Sequence, residues 1–245
     1  MIAAIQSLLR LQEIDLALHA ARTELAAFVP QRQAAAEART AERNAALSAH
    51  QALVEAELRH RALEAELRQV DALVEKLANQ LYEVTTKHAL DALKSEQAHA
   101  DEKKSVQEDL ILALLEELEA AAGVLAAARE RAREGEERGA REEAARAKRE
   151  PELAAEIARL EALRGDRAGN VEASVIRSYD GARRKRLPAV VFAESKSCPV
   201  CRMAISQQKL IYMRAASELV HCGSCDRILY GEKVAEAERL VAGQA

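Results

Sequence analysis

Apolar residues recur along the first two-thirds of the chain at alternating steps of four and three. Leu63, Leu67, Val70, Val74, Leu77, Leu81 and Val84 form one run; Ile111, Leu114, Leu118, Ala121, Leu125 and Ala128 form a second. A seven-residue repeat with two apolar positions is the seam of a coiled coil. Between the runs lies Glu83-Val84-Thr85-Thr86-Lys87-His88, where Thr85 or Thr86 suits a helix N-cap. The pattern predicts one helix running up to a turn near 84–88 and a second running back. Pairing about that turn places residue i beside about 170 − i, as antiparallel neighbours joined by a short loop require. Met1 then meets the region of Gly169, where Gly165-Asp166-Arg167-Ala168-Gly169-Asn170 is a natural stop. Arms of ~80 residues would each span ~120 Å.

The seam is not uniform. Pro30 lacks a backbone donor and predicts a kink or break near Phe28. Gly135 and Gly139 lie at about the same height on the returning arm, which makes this level either a candidate hinge or a tolerated irregularity. Pro151 is expected to start a new segment or kink the second arm, before Leu153, Ile157 and Leu160 resume the repeat. The alanine-rich middle (Ala34-Ala35-Ala36, Ala45-Ala46, Ala144-Ala145) buries little area per residue and is expected to be less stable than the half nearer the turn.

Past Asn170 the pattern shortens. Val171, Val175, Ile176 and Tyr179 share one face of a short helix reaching Lys185, with Asn170 as its N-cap, and Leu187-Pro188 ends it. Ala189–Ala193 reads as a strand, Met203-Ala204-Ile205 and Glu218–His221 as further extended segments, and Arg227–Tyr230 as another. Ser206 can cap a helix over Gln207–Met213. The expected organisation is a hairpin over 1–168, a connecting helix over 169–187, and a small β-rich domain over 188–245.

Composition agrees with long helices. Aromatic residues make up 2% of the 245 positions and charged residues 31%, so few bulky side chains exist to fill a wide core. The net charge of −4 implies no global pull toward nucleic acid or anionic membrane. No run of some 18 apolar residues predicts a membrane span, and no basic-then-apolar leader opens the chain. A cytoplasmic protein is expected.

All four cysteines fall in two knuckles, Cys198-Pro199-Val200-Cys201 and Cys222-Gly223-Ser224-Cys225. Two C-x-x-C turns about twenty residues apart are a zinc pattern. Four thiolates complete a tetrahedron and leave no open position, so one structural Zn²⁺ per chain is expected. Two redox dithiols or two disulfides are the alternatives, but no βαβ pattern accompanies the knuckles. Arg202 and Arg227 flank the knuckles, either as ligand-binding residues or to balance the charge of the thiolates. His221 precedes Cys222 and reads as a packed or exposed histidine, since four cysteines already complete the site. Arg183, Arg184, Lys185 and Arg186 form the sharpest basic cluster, either a phosphate-binding patch or a favourable helix C-terminus. Tyr212 or Tyr230 offers a stacking face for single-stranded nucleic acid, or packs the small core. No nucleophile elbow, P-loop, Rossmann glycines or open metal site is present, so no enzyme is expected.

The chain resembles the bacterial C4-type zinc-ribbon family with an N-terminal coiled-coil hairpin. The likeness runs through Leu8-Leu9-Arg10-Leu11-Gln12-Glu13-Ile14-Asp15, Val84-Thr85-Thr86-Lys87, Ala92-Leu93-Lys94-Ser95-Glu96, Leu114–Glu119 and Tyr179. Its most specific part is the ribbon, with Cys198–Met203, Gln207-Gln208, Cys222–Cys225 and Asp226–Tyr230. The resemblance implies zinc on the ribbon cysteines and a non-enzymatic adaptor. Such proteins engage the alternative sigma factor sigma-54 or assist flagellar or type III secretion systems, and RNA binding has been proposed for them. The family tip reads close to N-x-E-Y, whereas these places hold Lys87, Ala89 and Leu90; a contact made by that Glu and Tyr does not carry over. Ile205-Ser206 replace the prolines common after the first knuckle. The expectation is therefore a mainly α protein with a long antiparallel coiled-coil hairpin and a small C-terminal β-rich zinc ribbon built on four cysteines. It would bind a protein partner in transcription or secretion, with RNA or single-stranded DNA as the alternative ligand.

Overall fold

In the computed structural model, residues 1–242 are described. Helix α1 spans Ile2–Glu83 and α2 spans Lys87–Gly169, so the chain reverses within Val84–Thr86. Ala56, Val70 and Leu77 on α1 are buried, as are Ala100, Leu114, Leu125 and Ala128 on α2. These positions fall on the two heptad rows, and burying them is what holds a two-helix seam together. Ion pairs flank the seam. Asp71 accepts from Lys104 at 2.7 Å, Glu117 from Arg59 at 2.5 Å, and Glu24 from Arg149 at 2.8 Å. Each partner lies a few residues further along α2 than a symmetrical pairing about residue 85 places it.

Two compact units divide the chain: Met1–Pro30 with the residues from Ala145 onward, and Gln31–Ala144. The packing thus divides the chain elsewhere than the change of composition near residue 169 does.

Neither proline interrupts its helix: Pro30 lies inside α1 and Pro151 inside α2. Of the kink or break expected near Phe28, the break is absent. Phe28 is buried against Leu153, with Ala21, Leu25 and Ile157 around it. The helix continues through Pro30 because tertiary contacts offset the hydrogen bond that an exposed proline ring forfeits.

Gly135 and Gly139 have a packing reason. A Cβ at Gly135 would fall 1.7 Å from Glu42 Oε2, and one at Gly139 would fall 3.0 Å from Arg39 Cδ. Charged side chains of α1 lie across the partner helix where it carries no side chain. There Arg138 pairs with Glu42 at 3.1 Å, and Arg43 with Glu136 at 2.5 Å.

Within the first unit, α3 spans Ala173–Lys185 and its N-cap is Glu172. Asn170 is not the cap expected of it. Its side-chain amide donates back to the Asp166 carbonyl at 3.0 Å and so closes the end of α2. Three short strands follow, β1 (Val190–Phe192), β2 (Val220–His221) and β3 (Ile228–Tyr230), in the order β1-β3-β2. β1 runs parallel to β3 and β2 antiparallel to it. Helix α4 spans Gln207–Ala215, after Ser206, whose side chain makes no capping bond. Helix α5 spans Glu232–Ala242.

The sheet separates two cores by its period of two. Val190 and Ile228 face a core built with Ile5, Leu8 and Leu11 of α1, Val175, Tyr179 and Ala182 of α3, and Val234 of α5. Val191, Leu229 and Val220 face the other core, which contains Cys198, Cys222, Leu210 and Met213.

Candidate metal centre and the polar joint behind it

Each knuckle is built the same way. The backbone N–H of Cys198 donates to Met203 O at 2.9 Å, and that of Arg202 donates to Cys198 O at 2.9 Å. In the second knuckle Cys222 donates to Arg227 O at 2.8 Å, and Asp226 to Cys222 O at 3.1 Å. The residue after each second cysteine, Arg202 or Asp226, takes the left-handed conformation with φ of 61°. An L-residue there costs ~1–2 kcal/mol, which the closed turn and the paired knuckle must offset.

The two turns bring the four sulfurs together. All lie within 4.8 Å of one another, with Cys198 Sγ 3.7 Å from Cys225 Sγ and Cys201 Sγ 3.5 Å from Cys222 Sγ. Thiolates at ~2.3 Å around a tetrahedral ion sit ~3.8 Å apart, so the donor set fits one metal ion. None of the four forms a disulfide.

The sulfurs are not electrostatically equal. Burial pushes the Cys198 thiol up to about 11. The Met203 backbone N–H lowers that of Cys201. Burial also acts to raise Cys225, but the Arg227 backbone N–H and guanidinium outweigh it and bring it to about 6. Donors aimed at sulfur stabilise the thiolate a metal requires.

Arg227 is itself buried, and its Nε donates to Pro188 O at 2.8 Å. Its guanidinium also reaches Cys225 and so balances thiolate charge, one of the two roles expected of it. Arg202 is exposed. Both ring nitrogens of His221 are engaged by other groups: its Nε2 is 2.7 Å from Ser178 Oγ and its Nδ1 3.2 Å from Asp226 O.

The basic cluster divides. Arg183 donates to Asp15 at 2.9 Å and lies 3.4 Å from Asp180, while Lys185 reaches Asp226 at 2.7 Å. The Lys185 ammonium holds the Asp226 carboxyl below its usual range. Arg184 donates to the Asp180 carbonyl and is exposed, as is Arg186. Of the proposed stacking rings, Tyr212 takes a hydrogen bond from Gln208 at 2.9 Å. Tyr230 packs on Phe192 with centroids 5.5 Å apart.

Sequence reasoning left a second polar site unread as chemistry. Asp15 is 1% exposed and accepts from Arg164 at 2.8 Å, Arg183 at 2.9 Å and the Tyr179 hydroxyl at 2.8 Å. Burial and the Asp15 charge raise the Tyr179 hydroxyl strongly, so it stays a donor. One turn earlier, Gln12 binds both backbone groups of Val190: Nε2 donates to its carbonyl at 2.9 Å, and its N–H donates to Oε1 at 2.6 Å. Gln12 thus covers the free edge of β1. The signal was present in Leu8, Leu11, Gln12 and Asp15: two polar residues inside an apolar stripe.

No helix of the described residues is long and apolar enough to cross a membrane. No protein-family model matches the chain, and no curated protein matches it. Solved structures of similar fold include CT398 from Chlamydia trachomatis, at 20% identity and a TM-score of 0.67 over 94% of this chain and 98% of that one. The HP0958 protein from Helicobacter pylori is similar at 16% identity and a TM-score of 0.63, covering 94% and 98%. A protein from Mycobacterium smegmatis is similar at 15% identity and a TM-score of 0.50, covering 95% and 99%. At such identities the likeness is one of fold.

Proposed function

We propose that the chain is a non-enzymatic adaptor of the C4-type zinc-ribbon kind, with one structural Zn²⁺ on Cys198, Cys201, Cys222 and Cys225. The convergence of the four sulfurs supports the metal, and their type favours zinc over harder cations. The observation that carries the protein-binding part lies on α2 outside the seam. Leu110, Leu112 and Leu115 are 50%, 61% and 45% exposed there, with Val106 and Val124 nearby in sequence at 54% and 61%. Apolar side chains left uncovered beside a coiled-coil seam suit a protein partner. By its resemblance the partner is a sigma-54-like transcription factor or a component of a flagellar or type III secretion system, in the cytoplasm of a bacterium.

The nucleic-acid reading has less to draw on. Arg183 and Lys185 are held by carboxylates. That leaves Arg184 and Arg186 as the open part of the cluster.

Affinity capture from native cytoplasm, with and without nuclease, separates the two. The adaptor reading expects a nuclease-resistant partner that is lost from Leu112→Glu/Leu115→Glu and kept by Arg184→Ala/Arg186→Ala. Nuclease-sensitive capture abolished by the arginine pair would replace it with the nucleic-acid reading.

A further inference from the structure

The first unit contains a pocket of about 250 Å³ where the start of α1 meets the end of α2. Gln6, Ser7 and Arg10 line it from α1, and Arg167 and Asn170 from the other side. Among the described residues no carboxylate lines it. We propose that this pocket is a binding site for a small phosphate dianion, either inorganic phosphate or the phosphoryl group of a small phosphomonoester.

The charge pattern around the pocket carries the argument. Elsewhere in this unit several arginines on the same two helices are matched with acids, Arg22 with Glu161, Arg149 with Glu24, and Arg164 with Asp15 and Asp180, whereas Arg159 is an exposed arginine that does not line this pocket. Among the described residues neither Arg10 nor Arg167 has a side-chain ion-pair or hydrogen-bond partner. Both arginines are exposed and line the same concavity, so an anion held there is attracted by two positive charges at once. The chemistry of the wall is selective as well. Two guanidiniums supply planar forks that match phosphate oxygens. The Gln6 amide adds a neutral donor. The volume lies below the ~300–1,000 Å³ of pockets for drug-sized ligands, so the fitting anion is small.

This proposal is independent of the adaptor reading, because its pocket lies on neither the α2 leucines nor the knuckles. Calorimetric titration of the zinc-loaded full chain with inorganic phosphate, and separately with glycerol 3-phosphate, tests it. Binding at about a millimolar or tighter is expected for at least one of them. Arg10→Gln/Arg167→Gln is expected to weaken it at least about tenfold. Arg159→Gln, which removes an exposed arginine of α2 outside the pocket, is expected to leave it unchanged. Circular dichroism of each variant checks that the helices persist. Phosphate alone binding marks free phosphate as the ligand; the ester binding more tightly marks a phosphorylated small molecule. No binding of either probe by the wild-type chain, or equal binding by the double variant, overturns the proposal.

Discussion

At the scale of residues, two buried polar centres hold the first unit together by different means. Asp15 gathers Arg164, Arg183 and Tyr179, all around one carboxylate with no exposed side-chain surface. Removing its charge leaves two partly buried guanidiniums to share the single Asp180 carboxylate. Asp15→Asn is therefore expected to destabilise this unit by about 3 kcal/mol, read as a lowered denaturation midpoint, whereas an exposed pair such as Arg22 and Glu161 contributes little. The cysteines respond to pH instead. Cys198, at about 11, holds its proton at neutral pH, and Cys225, at about 6, does not. The metal-free site thus binds more protons than the metal-bound one, so acid favours metal loss. Apparent zinc affinity is expected to fall about tenfold per pH unit for each proton displaced, and to fall more steeply below pH ~6 as Cys225 also protonates. Competition with a chromophoric chelator between pH 5 and 8 measures the slope, and a pH-independent affinity would contradict thiolate ligation.

At the scale of elements, glycines in one helix have opposite roles. Gly123 lies inside α2 with nothing within 4 Å of where a Cβ would stand, but at Gly135 that space is taken by Glu42. Gly123→Ala is expected to stabilise by about 0.5–1 kcal/mol through helix propensity alone. Gly135→Ala gains the same propensity but must push aside the Glu42 carboxylate that pairs with Arg138, so its net effect is expected to be smaller or negative. Thermal denaturation of the two variants side by side checks this; equal gains would mean that the close approach at Gly135 has no energetic weight. Gln107 adds a further irregularity to the seam, buried at 6% exposure and donating to Glu66 at 3.0 Å. A polar residue at a seam position favours one register at some cost in stability.

At the scale of the whole molecule, the reversal at Val84–Thr86 makes α1 and α2 partners within one chain. Asp71 and Lys104 touch at 2.7 Å across the seam. Asp71→Cys/Lys104→Cys, joined by a short bis-maleimide with the ribbon metal-loaded, is expected to yield an intrachain cross-link and a monomer on denaturing gels. A predominant dimer band would point instead to helices paired between chains. The same fold makes the metal dispensable for the seam. Chelation is expected to unfold the sheet and its knuckles, which draw on metal-binding energy, while most helical circular dichroism remains.

The heptad rows, the turn and the four clustered cysteines were legible in the sequence because each is a local pattern: a period along a helix, a cap, a two-residue spacing within a knuckle. Leu63 to Leu81 name their own seam, and Cys198-x-x-Cys201 its own turn, with no knowledge of what lies across from them. The rest was decided by residues far apart in the chain. Pro30 predicts a kink or break by its covalent chemistry, but α1 continues through it, where Phe28 on Leu153 and the flanking ion pairs outweigh one lost hydrogen bond. Arg183 and Lys185 read as either a phosphate-binding patch or a favourable helix C-terminus until Asp15 and Asp226 take up their charge. Gln12 and Asp15 read as two polar interruptions until Val190 and Tyr179 arrive beside them. Burial and pairing belong to the tertiary structure, because a side chain's charge is set by its sequence while its partner is set by the packing.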